Sequence, residues 1–121
     1  MPVLNVRTRF YPIRLTANMQ NSVELTIKVE NTGKELLWSE CDVIVPESLS
    51  LTPNRSLTKG RLRIGIMEPG KSGTGKCKVY GSAKTYPYTY MLRLTVYGYG
   101  KDGVIVTRED TKVGLRCESI S

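Results

Sequence analysis

Val23, Leu25, Ile27 and Val29 alternate with Glu24, Thr26, Lys28 and Glu30 along residues 22–30, and the run stops at Asn31-Thr32-Gly33. Strict period-2 alternation of β-branched and polar residues marks a strand with one face on a core and the other in water. Asn and Gly then supply the conformations a turn needs. The pattern repeats in both directions. Upstream, Leu4, Val6 and Phe10 oppose Asn5, Arg7 and Arg9 in a first strand that Pro12 interrupts, and residues 16–22 read as a polar connection. Downstream, residues 35–46 place Leu37, Cys41, Val43 and Val45 on one face, while Trp38 falls on the opposite parity with Glu40 and Asp42. Either a bulge between Trp38 and Cys41 resets the register or Trp38 lies on the outer face. The bulge is favoured, because a lone large aromatic is usually buried.

Residues 46–59 are rich in Pro, Ser, Thr and Asn and read as a loop anchored by Leu49, Leu51 and Leu57, with room for one short strand. Residues 61–67 form a strand with Leu62, Ile64 and Ile66 inward and Arg61 and Arg63 outward. Glu68-Pro69-Gly70-Lys71-Ser72 is a turn, and residues 76–80 follow with Cys77 and Val79 inward. After a loop over 81–87, residues 88–99 form the longest strand, with Leu92, Leu94 and Val96 inward. Residues 104–117 then return as one bent strand or two short ones. No stretch sustains a 3.6-residue apolar period. Seven or eight strands without a helix predict an all-β chain: one domain over 1–121, folded as an antiparallel Greek-key β-sandwich.

Composition narrows the chemistry. The chain of 121 residues contains no histidine, which removes the commonest general base and the usual catalytic triads. Cys41, Cys77 and Cys117 lack C-x-x-C spacing, so no zinc site is expected. They read as small apolar residues inside strands, with one disulfide between two strands as the alternative. The acids Asp42, Glu47, Glu68, Asp102, Glu109 and Asp110 are scattered near turns or strand exteriors, and no enzyme activity, cofactor or small-molecule substrate is expected. No window carries the ~18 apolar residues of a membrane helix, and the first residues lack a long apolar core for a signal peptide. A cytoplasmic protein without membrane contact is the expectation. The net charge of +7 is uneven: seven Lys/Arg against six Asp/Glu over 1–60, eleven against five over 61–121. That excess keeps an anionic partner in view.

Three pieces carry a family resemblance: V-x-N-T-G at 29–33, I-x-x-P-G-K-S at 66–72 just before a strand, and a long Tyr-rich strand answered by a C-terminal one. Together they resemble the immunoglobulin-like domains of the CARDB type, found in archaeal and bacterial proteins, and more loosely the adaptin-ear class. The resemblance implies a non-enzymatic spacer or docking surface, commonly one that adds a strand to a sheet edge. In it, Asn31-Thr32-Gly33 closes a hairpin and Pro69-Gly70 reverses the chain between two further strands.

Three constellations remain. Residues 70–76 read G-K-S-G-T-G-K, the core of a phosphate-binding P-loop, but Cys77 stands where Ser or Thr belongs and a strand follows instead of a helix. A Gly-rich hairpin turn is the simpler reading. If residues 61–67 and 74–80 pair around Gly70, Arg61, Arg63, Lys76 and Lys78 share an outer face with Tyr80, a candidate site for nucleic acid or another polyanion. Finally, Met91, Arg93, Tyr97 and Tyr99 point outward together from the longest strand, and these residue types are enriched at protein interfaces. The favoured expectation is a protein-interaction or assembly module whose partner is another protein or a second copy. Polyanion binding through the basic hairpin is the alternative.

Overall fold

Eight strands account for the periodic segments of the computed structural model, which describes residues 3–119: β1 (Leu4–Tyr11), β2 (Arg14–Thr16), β3 (Asn21–Asn31), β4 (Leu37–Ile44), β5 (Lys59–Met67), β6 (Ser72–Gly81), β7 (Tyr88–Tyr99) and β8 (Ile105–Glu118). No helix occurs among the described residues. The strands form two sheets, β1-β3-β6 and β2-β8-β7-β4-β5, and the five-stranded one curls toward a half-barrel. Every pairing is antiparallel except the short parallel contact of β2 with β8. Leu25, Ile27 and Val29 from one sheet and Leu92, Leu94 and Val96 from the other are fully or almost fully buried in a core between them. The β-sandwich-like arrangement follows from the alternation: each sheet has one apolar face, and two such faces remove each other from water.

β2 is not expected from the sequence: it follows the proline that interrupts the first strand and meets the polar connection expected over 16–22 only at Thr16. Three residues are too few to show a period, yet Leu15 is fully buried, and such burial contributes about 1.5–3 kcal/mol. That side chain anchors β2 in the core beside β8.

The expected hairpins at Asn31-Thr32-Gly33 and Pro69-Gly70 do not form. β3 pairs with β1 and β6, and β4 pairs with β5 and β7, so the chain crosses between sheets at both turns. Asn31 fastens the two crossings together. Its buried Nδ2 donates to the Glu35 carbonyl at 2.7 Å and the Met67 carbonyl at 3.0 Å, while Oδ1 accepts from the Gly33 amide at 3.0 Å. Its backbone amide donates to the Lys71 carbonyl, and its carbonyl accepts from the Gly70 amide.

A bulge exists near Trp38, but on the partner strand. Ser39 pairs with Gly65 and Glu40 with Arg63, which leaves Ile64 as the extra residue on β5. Gly65 takes φ +118°, a conformation essentially reserved for glycine. The parity of β5 therefore switches. Leu62, Ile64 and Met67 face inward, and Ile66, expected in the core, is 74% exposed. β4 itself keeps its alternation, so Trp38 lies on the outer face, 40% exposed.

The glycines of the P-loop-like run have a packing role. A Cβ on Gly73 would lie 2.9 Å from Ile64 Cγ2 and 2.9 Å from the Ile64 carbonyl oxygen; one on Gly75 would lie 2.7 Å from Ile64 Cδ1. They let β5 and β6, which belong to different sheets, approach closely at the side of the sandwich. All three cysteines are free. No helix among the described residues is long and apolar enough to cross a membrane.

Candidate functional site

The outer face of the five-stranded sheet carries large apolar side chains in one continuous cross-strand row. Ile66 pairs with Trp38, Trp38 with Tyr99, and Tyr99 with Ile105. The Trp38 and Tyr99 rings lie 5.5 Å apart with planes tilted by 43°. Ile105 is 52% exposed, and Val104 and Val106 beside it are similarly open. A second irregularity places Val106 as an extra residue on β8, between the Gly98–Thr107 and Tyr99–Ile105 pairs.

One row below, Tyr97 is held by its surroundings. The guanidiniums of Arg61 and Arg108 lie 5.3 Å and 5.9 Å from its ring centre, and its hydroxyl donates to Asp42 Oδ2 at 3.4 Å. Arg61 donates through Nε to Asp42 Oδ1 at 2.7 Å, through Nη2 to Oδ2 at 3.2 Å, and through Nη1 to Glu40 Oε1 at 3.2 Å. The hydrogen bonds from Arg61, helped by its charge, hold the largely buried Asp42 carboxyl below the usual carboxylate range. Tyr97 thus stiffens the platform beneath the apolar row.

Of the four residues expected at a protein interface, the structure places all on this outer face of β7 and spreads them along it. Tyr99 belongs to the apolar row and Tyr97 to the clamp below it. Met91, half exposed, lies beside Gly114 of β8, and Arg93 pairs across to Lys112 on one side and Ile44 on the other. Trp38, Ile66 and Ile105 are the members of the row that sequence reasoning missed. The signal for Ile66 was Gly65 inside a strand, since an internal glycine marks a bulge and a bulge reverses parity beyond it, whereas the signal for Trp38 was the unbroken alternation of β4 itself.

The expected basic hairpin does not assemble, because β5 and β6 lie in different sheets. Arg61 and Arg63 are on the outer face of the five-stranded sheet, with Arg61 engaged by Asp42 and Glu40. Lys76 and Lys78 lie on the outside of the three-stranded sheet, where Lys76 reaches Glu24 at 3.9 Å and pairs through Thr26 with Arg9 of β1. Tyr80 shares their parity, and its backbone is bridged to Ser50 of the long loop. Among the described residues, no three His, Cys, Asp or Glu side chains are grouped to hold a metal ion.

No protein-family model and no curated protein sequence matches the chain. Solved structures do. The major pilin subunit BcpA of Bacillus cereus superposes with a TM-score of 0.66 at 10% identity, covering 94% of this chain and 40% of that one. The alkylpurine DNA glycosylase AlkC of Pseudomonas fluorescens, bound to DNA, gives 0.58 at 10% identity over 98% of this chain and 31% of that one. BslA, described as a bacterial hydrophobin, gives 0.57 at 13% identity, and the match covers 99% of this chain and 98% of BslA. The chain thus spans less than half the length of the pilin and the glycosylase. These likenesses establish a β-sandwich-like all-β fold of a kind found in bacterial proteins.

Proposed function

We propose that this chain is a non-enzymatic assembly module, one immunoglobulin-like Greek-key sandwich domain of CARDB-like character, that docks another protein through the outer face of its five-stranded sheet. The observation that carries the reading is the row Ile66–Trp38–Tyr99–Ile105. Large apolar side chains in contact with one another on an outer face mark interaction surfaces more often than scattered single ones do. The fold is shared with a pilin subunit and a protein described as a hydrophobin, which is compatible with assembly. A second copy is the simplest occupant. A two-fold axis through Trp38 and Tyr99 sets row against row and keeps the basic far ends of the two faces apart.

Light scattering after size exclusion, at low and high salt, tests this. The expected result is a concentration-dependent dimer that salt barely affects and that Trp38→Ala/Ile66→Ser abolishes. A monomer at every concentration reached, or a dimer unchanged in that variant, overturns it. Polyanion binding is the second reading, and it moves to the three-stranded sheet, where Lys76 and Lys78 are joined by Arg7, Arg9 and Lys28 against only Glu24 and Glu30. Its signature is RNA affinity that falls steeply with salt and is lost in Lys76→Ala/Lys78→Ala.

A further inference from the structure

Cations on the outside of the five-stranded sheet fall into two kinds. Arg14 of β2 and Arg116 of β8 are directly paired across strands, and Glu118 bridges both, at 3.0 Å and 2.9 Å. Arg61 is held by Asp42 and Glu40, and Arg108 by Asp110 at 3.3 Å. Arg93 of β7 and Lys112 of β8 are directly paired as well, yet among the described residues neither forms an ion pair. Like charges directly opposite each other destabilise a sheet unless something neutralises them. Lys59 extends the same row beyond Ile44 and adds to the field.

Arg93 and Lys112 also share a depression. An open hollow of about 720 Å³ is lined by both, with Ile44, Thr95, Arg108 and Asp110 around it. Asp110 is the acid nearest to hand, but it is committed elsewhere. Its Oδ1 accepts from Thr95 Oγ1 at 2.8 Å, and Arg108 pairs with it from the other side. The Thr95 hydroxyl first, then Arg108, and least the charge of Arg93 hold its carboxyl below the usual range. The hollow therefore holds two cations that form no ion pair among the described residues and feel Asp110 only through its field, about 20 Å along the strand from the Tyr99 row.

We propose that Arg93 and Lys112 form a binding site for a dianionic phosphate group. Two adjacent unit charges are matched by a group of charge −2; a carboxylate leaves one of them uncompensated. A guanidinium presents a planar fork to two phosphate oxygens, and an ammonium serves as a point charge for a third. The site is independent of the apolar row, so assembly and anion binding fail or hold separately. A continuous nucleic-acid strand fits the face less well, because Glu40, Asp42 and Asp110 interrupt it with negative charge.

The test is a two-dimensional amide NMR titration of the full chain at constant ionic strength, with phosphoserine, inorganic phosphate, acetate and a short RNA as separate probes. Shifts with phosphoserine are expected to cluster at Arg93, Thr95 and Lys112, with acetate at least about tenfold weaker. Arg93→Gln or Lys112→Gln weakens phosphoserine about tenfold, whereas Lys76→Gln/Lys78→Gln on the other sheet leaves it unchanged. Phosphoserine binds about tenfold more tightly at about pH 8 than at about pH 5, because its second ionisation lies near 6. Equal binding of phosphoserine and inorganic phosphate supports a site for phosphate groups in general; binding of inorganic phosphate alone supports a site for the free anion. Acetate binding as tight as phosphate, affinity that survives Arg93→Gln/Lys112→Gln, or RNA displacing both phosphates at either pH overturns the proposal.

Discussion

Asn31 sits where the chain twice crosses from one sheet to the other, and its amide is the only side chain that touches both crossings among the hydrogen bonds described above. Asn31→Asp keeps the size and removes both donors, leaving the Glu35 and Met67 carbonyls without them. Buried acceptors that lose their donors cost about 1–3 kcal/mol each, so chemical denaturation is expected to show a loss of about 2–6 kcal/mol. Asp42 governs a different property at the same scale. Its folded carboxyl titrates below its unfolded value near about 4. The stability it contributes is therefore present above that value and disappears as pH falls through the depressed one. Asp42→Asn gives up the charge and one of the two oxygens that accept from Arg61 at neutral pH, and is expected to cost about 1–2 kcal/mol there. Thermal melts should show the gap between the two proteins closing as pH drops below about 4; a gap independent of pH would contradict the role given to Arg61.

At the scale of the elements, β5 decides what the surface offers. Its single extra residue turns Ile66 outward and aligns it with Trp38, while Ile64 stays in the core beneath. Two glycines enforce this for different reasons. Gly65 has open space around its Cα but a backbone angle that side chains rarely adopt, whereas Gly75 has no room because Ile64 Cδ1 occupies it. Gly65→Ala is expected to cost about 1–3 kcal/mol through backbone strain. Gly75→Ala also destabilises, and Ile64→Val, which removes Cδ1, should recover part of that loss in a double-mutant cycle. The same Ile64→Val should leave the cost of Gly65→Ala unchanged. Both strands were legible from alternation alone. The parity switch was not, because a bulge changes the face of every later side chain without altering composition.

For the molecule as a whole, the two sheets stay closed over thiols that report on their separation. Burial pushes the Cys41 thiol up to about 12 and the Cys77 thiol to about 11, with nearby negative charge adding to both. At about pH 8 neither is a thiolate to any useful extent, and thiol reagents should label the fully buried Cys41 only as fast as the sandwich opens, the partly exposed Cys77 sooner, and both at once in denaturant. Fast labelling of Cys41 in the folded chain would mean that the sheets part far more readily than this packing allows. Alternation along the chain is enough to show that it is built of strands, where most of them start and stop, and which side chains of β1, β3, β6 and β7 face the core. Those follow from a local period, which every residue reports about its own neighbours. Only the tertiary structure decided which strands share a sheet. The order β1-β3-β6 against β2-β8-β7-β4-β5 separates Arg61 and Arg63 from Lys76 and Lys78, and it brings Ile66, Trp38, Tyr99 and Ile105 into one row. Pairing partners lie far apart along the chain, and the turns at Asn31 and Gly70 look alike whether they close a hairpin or cross between layers. That choice belongs to the buried apolar faces, which no single segment contains.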